Sequence, residues 1–188
     1  MCTPSRAALL TGRYPHRYGL QTAVILSNSK YGLATDERLM PQALQEAGYE
    51  TAIVGKWHLG HADRKYWPQQ RGFDHQYGPL LGEIDYFTHS AHGTKDWFRD
   101  GKPVDEKGYV TELIGQEAVK VIERHDPKKP LFLYLTFTSP HAPYQAPQVY
   151  IDAVTSIADP TRRARASHWT EWMSGPRSPK ASLPLAQR

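Results

Sequence analysis

The sequence predicts an α/β domain whose sheet is mixed but mostly parallel and flanked by helices. Two observations carry this reading. A helical apolar pattern followed by a short, continuously apolar strand occurs once before Gly55 and again before Ser139, the alternation from which parallel sheets are built. No apolar stretch approaches the roughly 20 residues of a membrane span, so the chain has no predicted span.

The elements follow in chain order. Thr3 reads as an N-cap and Pro4 as the first residue of an opening helix, where a missing N–H costs nothing. Leu39, Ala43, Leu44 and Ala47 recur at helical spacing behind the cluster Thr35-Asp36-Glu37, and Gly48 is a natural stop. Thr51-Ala52-Ile53-Val54 then reads as a buried strand. Trp97 to Val104 contains Asp100-Gly101, a hairpin signal. Val110, Leu113, Ile114, Glu117, Ala118, Val121 and Ile122 form a helix of about four turns, ended near His125-Asp126-Pro127. Leu131 to Phe137 is too continuously apolar for a half-exposed strand and suits one covered on both faces. From Arg165 to Arg188 no period is visible and Pro176, Pro179 and Pro184 are scattered among Ser and Arg. That stretch is expected to be disordered or loosely attached, since it offers no periodic apolar face to offset the entropy of ordering. Trp169 and Trp172, at i and i+3, are its only features suited to docking a short helix. No internal repeat is present.

Charge is unevenly spread. The chain has 188 residues with 23 Lys and Arg against 19 Asp and Glu, yet residues 161–188 hold six basic residues and one acid, Glu171. The body is therefore near neutral. The tail lacks the dense basic block and aromatic platform of a nucleic-acid arm, so no nucleic-acid partner is expected. A single cysteine excludes an intrachain disulfide. No secretory leader pattern precedes the first helix.

That cysteine opens Cys2-Thr3-Pro4-Ser5-Arg6-Ala7-Ala8-Leu9-Leu10-Thr11-Gly12-Arg13. A helix N-terminus favours an oxyanion through unpaired N–H groups and the macrodipole. Taken alone, Cys2 reads as a buried structural thiol or as an activated nucleophile. The loop of cysteine-dependent phosphatases would need arginine where Ala8 stands, so that form of nucleophile fails on spacing. Lys56 and His58 directly follow the first predicted strand and His141 follows the second, so all three fall beyond strand carboxyl ends, where ligands of open α/β sheets bind. An anionic ligand at such a place needs fixed cations and a proton donor, and Arg6, Lys56, His58 and His141 are the right types. No pair of the remaining histidines has the i, i+4 spacing of a zinc helix; His61, His75, His89, His92 and His125 read as structural or solvated.

Cys-x-Pro-Ser-Arg with Leu10-Thr11-Gly12-Arg13 resembles the first signature of the sulfatase family, and Gly55-Lys56-Trp57-His58-Leu59-Gly60 resembles the second. Arg71-Gly72-Phe73-Asp74, Leu81-Gly82-x-x-Asp85-Tyr86 and Ser139-Pro140-His141-x-Pro143 also resemble sulfatase segments, closest to the arylsulfatase B-like branch. The resemblance implies an alkaline-phosphatase-like fold in which residues 1–163 are part of a catalytic domain and residues 164–188 a non-homologous tail. It implies a sulfuric ester hydrolase acting on aryl or carbohydrate sulfates through formylglycine, made from Cys2 by a formylglycine-generating enzyme. Ca²⁺ would be held in part by position 2. Arg6 would support the hydrated aldehyde, Lys56 would bridge it to the sulfate, His58 would orient it and His141 would stand by the leaving group. The family's acidic residues before the signature, and its Asp-Asn pair after it, have no counterpart here, so the remaining metal ligands are expected to be absent and this chain alone to turn over aryl sulfates near background. A shifted reading frame or aberrant splice after about residue 164, with an internal Met as start, would account for both ends, with a genuinely divergent tail as the alternative. A phosphonate or phosphate monoesterase of the same superfamily, and a non-catalytic truncated isoform, stand as other functions. By resemblance the location would be periplasmic, secreted or lysosomal.

Overall fold

The computed structural model describes residues 1–174. Its elements in order are α1 (Cys2–Thr11), α2 (Met40–Glu46), β1 (Glu50–Gly55), β2 (His75–Gly78), β3 (Ser90–Ala91), β4 (Thr94–Lys95), β5 (Phe98–Arg99), β6 (Lys102–Pro103), α3 (Val110–Arg124), β7 (Leu131–Thr136), α4 (Gln148–Ala153) and α5 (Pro160–Ser174). Residues Met1–Pro143 form one compact unit and a second begins at Tyr144.

In the first unit a five-stranded sheet runs β6-β5-β2-β1-β7. Central β1 is parallel to β2 and to β7, whereas β5 and β6 add antiparallel at one side, so the sheet is mixed with a parallel heart. β1 is buried from Thr51 to Gly55, and α2 and α3 both pack on it. Ile53 joins Ala7, Leu10, Leu33, Leu39 and Phe73 in the principal apolar cluster. Each Leu, Ile or Phe side chain so removed from water contributes about 1.5–3 kcal/mol. The Asp100-Gly101 turn, at φ 49 and 74, joins β5 to β6 as the dipeptide predicts.

Four expectations are corrected. Thr3 is not the cap of α1: the helix starts at Cys2 behind Met1, and the Thr3 hydroxyl is drawn inward, donating to the His58 carbonyl (3.0 Å) and accepting from the Ile25 N–H (3.1 Å). Second, α2 starts at Met40 rather than at the Thr35-Asp36-Glu37 cluster. Pro41 presets its first turn, the Gln42 side chain accepts the Leu39 N–H at 2.8 Å, and Glu37 is taken instead by Arg13 (2.6 Å). Third, β7 is not covered on both faces: among the described residues it pairs with β1 alone, and Leu135 is 41% exposed. Fourth, the backbone beyond Arg165 is helical to Ser174. Asp159 caps the start of that helix by accepting the Arg162 N–H at 2.7 Å, a signal that the search for an apolar period does not register. Residues 175–188, where the disordered tail was also expected, lie outside the described residues.

β2 gave no apolar signal because its buried residues are polar and satisfied. His75 lies 3.1 Å from Glu117 Oε1 and 2.9 Å from Asp100 Oδ1. The Gln76 amide donates to the Gly78 carbonyl at 3.0 Å. Glu117, on the inner face of α3, also accepts from Arg99 at 2.6 Å, so one buried carboxylate joins helix, β2 and β5.

Candidate active site

β1 ends at Gly55, and the chain then turns away as Lys56-Trp57-His58. This segment is pinned from two sides. Lys56 N–H donates to the Thr136 carbonyl and the Thr136 hydroxyl donates to the Lys56 carbonyl, both at 2.8 Å. On the other side the N–H groups of Trp57 and His58 donate to the carbonyls of Pro79 and Leu80, each at 3.0 Å. Asp96 in turn accepts the N–H groups of Leu80 (3.1 Å) and Leu81 (2.8 Å). The carboxyl ends of β1, β2 and β7 thus converge on one rigid ledge.

α1 meets the ledge with its N-terminal turn. The Arg6 guanidinium donates to the Lys56 carbonyl at 2.7 Å, locking the helix to the segment. Lys56 Nζ then stands 3.2 Å from Cys2 Sγ. Lys56 is only 2% exposed, and burial pushes its pKa below the usual lysine value although Cys2 opposes the shift. The thiol therefore faces an ammonium group at the positive end of a helix, a place built for negative charge.

His58 is fixed more tightly still. Its backbone is in the left-handed region at φ 60, which is uncommon for a non-glycine residue and is tolerated where surrounding structure imposes it. Nε2 lies 2.9 Å from the Ile25 carbonyl, so Nε2 carries the proton and Nδ1 is an acceptor. Burial, then the neighbouring Lys56 charge, lowers its pKa to about 3, and the ring is neutral at any physiological pH. Nδ1 is buried and unpartnered within the protein.

Cys2, His58 and His141 line one cavity of about 150 Å³ together with Gly82, Glu83 and His92. His141 is held by its backbone, whose carbonyl accepts from the Tyr86 hydroxyl at 3.0 Å. Its Nδ1 donates to the Ala142 carbonyl at 2.8 Å, which leaves Nε2 available. Glu83 lies between two histidines, 3.2 Å from His92 Nε2 and 3.9 Å from His141 Nδ1. The five residues singled out in the sequence therefore gather at one place, with Arg6 turned to the Lys56 backbone. Gly82, Glu83, His92 and Thr3 were not singled out for the site. The Leu81-Gly82-x-x-Asp85-Tyr86 segment was the available signal for Gly82 alone.

A hard cation such as Ca²⁺ takes six to eight oxygen ligands. Among the described residues no group of three or more His, Cys, Asp or Glu converges as a metal cage, and the closest neighbours of Cys2 are cationic. These residues do not fit a calcium site by themselves, and no step is derived through one.

The family model described as Sulfatase matches residues 1–177. Arylsulfatase J of Mus musculus is 39% identical over 89% of this chain and 29% of its own length. N-acetylgalactosamine-6-sulfatase of Homo sapiens is 33% identical over 85% of this chain and 36% of its own. The chain thus spans about a third of these curated relatives. The solved structure of Ps i-CgsB in complex with k-i-k-neocarrahexaose superposes with a TM-score of 0.82 at 34% identity, covering 90% of this chain and 41% of that one. That of BT4656 in complex with D-glucosamine-2-N,6-O-disulfate gives a TM-score of 0.64 at 29% identity, covering 85% and 29%.

Proposed function

Because this chain belongs to the sulfatase family, we propose that it carries the nucleophile and sulfate-binding part of a sulfuric ester hydrolase acting on sulfated saccharides. The observation that supports this most is the Lys56 ammonium 3.2 Å from Cys2 Sγ, a thiol in the first turn of α1 that lines one cavity with His58, His92 and His141.

Cys2 fits conversion to formylglycine: it is partly accessible, follows no cap and heads the Cys-x-Pro-Ser-Arg run. The hydrated aldehyde supplies a hydroxyl nucleophile for the ester sulfur. Around it, Lys56 compensates the charge of the sulfate oxygens in a water-poor setting where a fixed cation is most effective. The α1 N–H groups add to that field. Neutral His58, whose Nδ1 is buried and unpartnered within the protein, would orient a hydroxyl at position 2 by accepting its hydrogen bond there. His141, whose Nδ1 donates to the Ala142 carbonyl, presents Nε2 to the sulfate near the leaving group. Arg6 acts through Lys56, fixing α1 to the ledge.

The saccharide class rests on the relatives: the Ps i-CgsB and BT4656 structures hold sugars, and one curated relative is named for N-acetylgalactosamine 6-sulfate. Maturation by a formylglycine-generating enzyme, and a periplasmic, secreted or lysosomal location, belong to the same proposal. Among the described residues no helix is long and apolar enough to cross a membrane.

The test is competition between 4-nitrophenyl sulfate and 4-nitrophenyl phosphate in protein coexpressed with the maturation enzyme and supplied with Ca²⁺. In this chain alone neither ester is expected to turn over above background; in a longer chain that also supplies the metal ligands, hydrolysis of the sulfate, lost in Cys2→Ala, is expected. Preference for the phosphate ester would replace this function with the monoesterase one.

A further inference from the structure

The cavity at Cys2, about 150 Å³, is small for a whole ligand, since small-molecule sites run to roughly 300–1,000 Å³. It has room for a sulfate group and little beyond. A second cavity of about 350 Å³ adjoins it, and the two share Ser27, Leu81 and His92 as walls. Nothing in the chemistry assigned above uses this second space.

Its outer wall is the finger made by β3 and β4. Ser90 pairs with Lys95 and Ala91 with Thr94, leaving His92-Gly93 as a two-residue turn with φ 49 and 80. Positive φ at both positions is what a two-residue turn of this hand requires, and the turn places His92 at the tip of the finger. His92 lines both cavities, and in the smaller one it faces Glu83 at 3.2 Å. The rest of the second cavity includes the rings of Trp67 and Phe98, the amide of Asn28 and the ammonium group of Lys95. Lys95 is paired with the highly exposed Asp105, a surface pair of little intrinsic worth and readily exchanged for another anion. Aromatic faces beside an amide and a cation are what an anionic sugar needs, with apolar C–H groups against rings and hydroxyls and acid groups against polar ones.

We propose that this cavity seats the saccharide body of the sulfate ester, with the β3–β4 finger as its wall and His92 at the passage from sugar to sulfate. The inference rests on the sulfatase reading of the Cys2 cavity and adds the place and residues that hold the sugar. The Cys2 cavity grips the sulfate; the second cavity selects what carries it.

The test is titration of the unmodified chain, whose thiol does not turn over substrate, with N-acetylgalactosamine 6-sulfate and with inorganic sulfate. Two variants are compared with wild type: Thr94→Trp, which fills the cavity from an exposed strand position, and Asn28→Ala, which removes an exposed amide. Far-ultraviolet circular dichroism checks that each is folded. Both should weaken the sugar sulfate by about tenfold or more, the loss of one or two good contacts, and leave inorganic sulfate unchanged. Unchanged sugar affinity in folded variants would overturn the inference while sparing the sulfatase reading. Failure of wild type to bind either probe would overturn both.

Discussion

A Cβ built on Gly82 would stand 2.0 Å from Cε1 of the His58 imidazole. Gly82 has no positive φ to demand glycine, so the absent side chain is explained by the ring that occupies its place. Gly82→Ala must push His58 off the Ile25 carbonyl. The expected cost is about 1–3 kcal/mol of stability, typical of overpacking a rigid interior, together with loss of sulfate affinity. Thermal unfolding and sulfate titration check the two effects, and a variant with native affinity would show that His58 has no part in anion binding.

His58 should not titrate between pH 5 and 8, because burial holds its pKa at about 3. Its ring proton in an NMR titration is expected to stay at one shift over that range while exposed histidines move. The unfolded chain takes up this proton near pH 6.5 and the folded chain only near pH 3, so folding stability falls as pH drops through that window, by up to about 1.4 kcal/mol per pH unit. His58→Gln should flatten that acid limb.

Lys56 has the opposite chemical use but the same sign. Its pKa is lowered by burial, so between the lowered value and the ordinary one the unfolded chain holds the extra proton and stability rises with pH. At neutral pH the charged form costs stability. Lys56→Met, which keeps the length and removes the charge, should therefore stabilise the fold by on the order of 1 kcal/mol and weaken sulfate binding by more than about tenfold. A variant that is less stable and binds sulfate as wild type does would contradict both halves.

Much of this was legible in the sequence, and the reasons differ by element. β1 and α3 are read correctly because their signals are local: an apolar run, and a 3.6-residue period ending at His125. Cys2, Arg6, Lys56, His58 and His141 are singled out by motif, the last three also by their position after strands, and the fold brings them to one place. β2 is missed because burial of His75 and Gln76 is made possible by partners distant in sequence, Glu117 and Phe98. Gly82 belonged to a recognised segment, yet its role depends on a ring that only the fold brings against it. Glu83 and His92 carry no local signal; His92 is placed by a two-residue turn, and Glu83 meets it only in the fold. The edge position of β7 likewise depends on sheet order, which an apolar run does not encode.

Glu117 is the second structural hinge of the account. Burial alone would raise its pKa, but the Arg99 hydrogen bond and charge, with His75 and Arg124, outweigh this and hold it below the usual carboxylate range. The stability it provides is present above the unfolded-state pKa and is lost as pH falls through the folded one. Glu117→Leu strands those cations and should cost about 3–5 kcal/mol, read by denaturant unfolding; a cost below about 1 kcal/mol would mean that the network is loosely held.

The most direct test of Cys2 as the seat of the chemistry is labelling with a hydrazide reporter after coexpression with a formylglycine-generating enzyme, followed by peptide mass spectrometry. The expected result is an aldehyde on the peptide containing Cys2, labelled more slowly in the presence of inorganic sulfate than of chloride, because sulfate would compete for the cavity that position 2 lines with His58 and His141. A thiol alone, or an aldehyde whose labelling is indifferent to sulfate, would contradict the assignment.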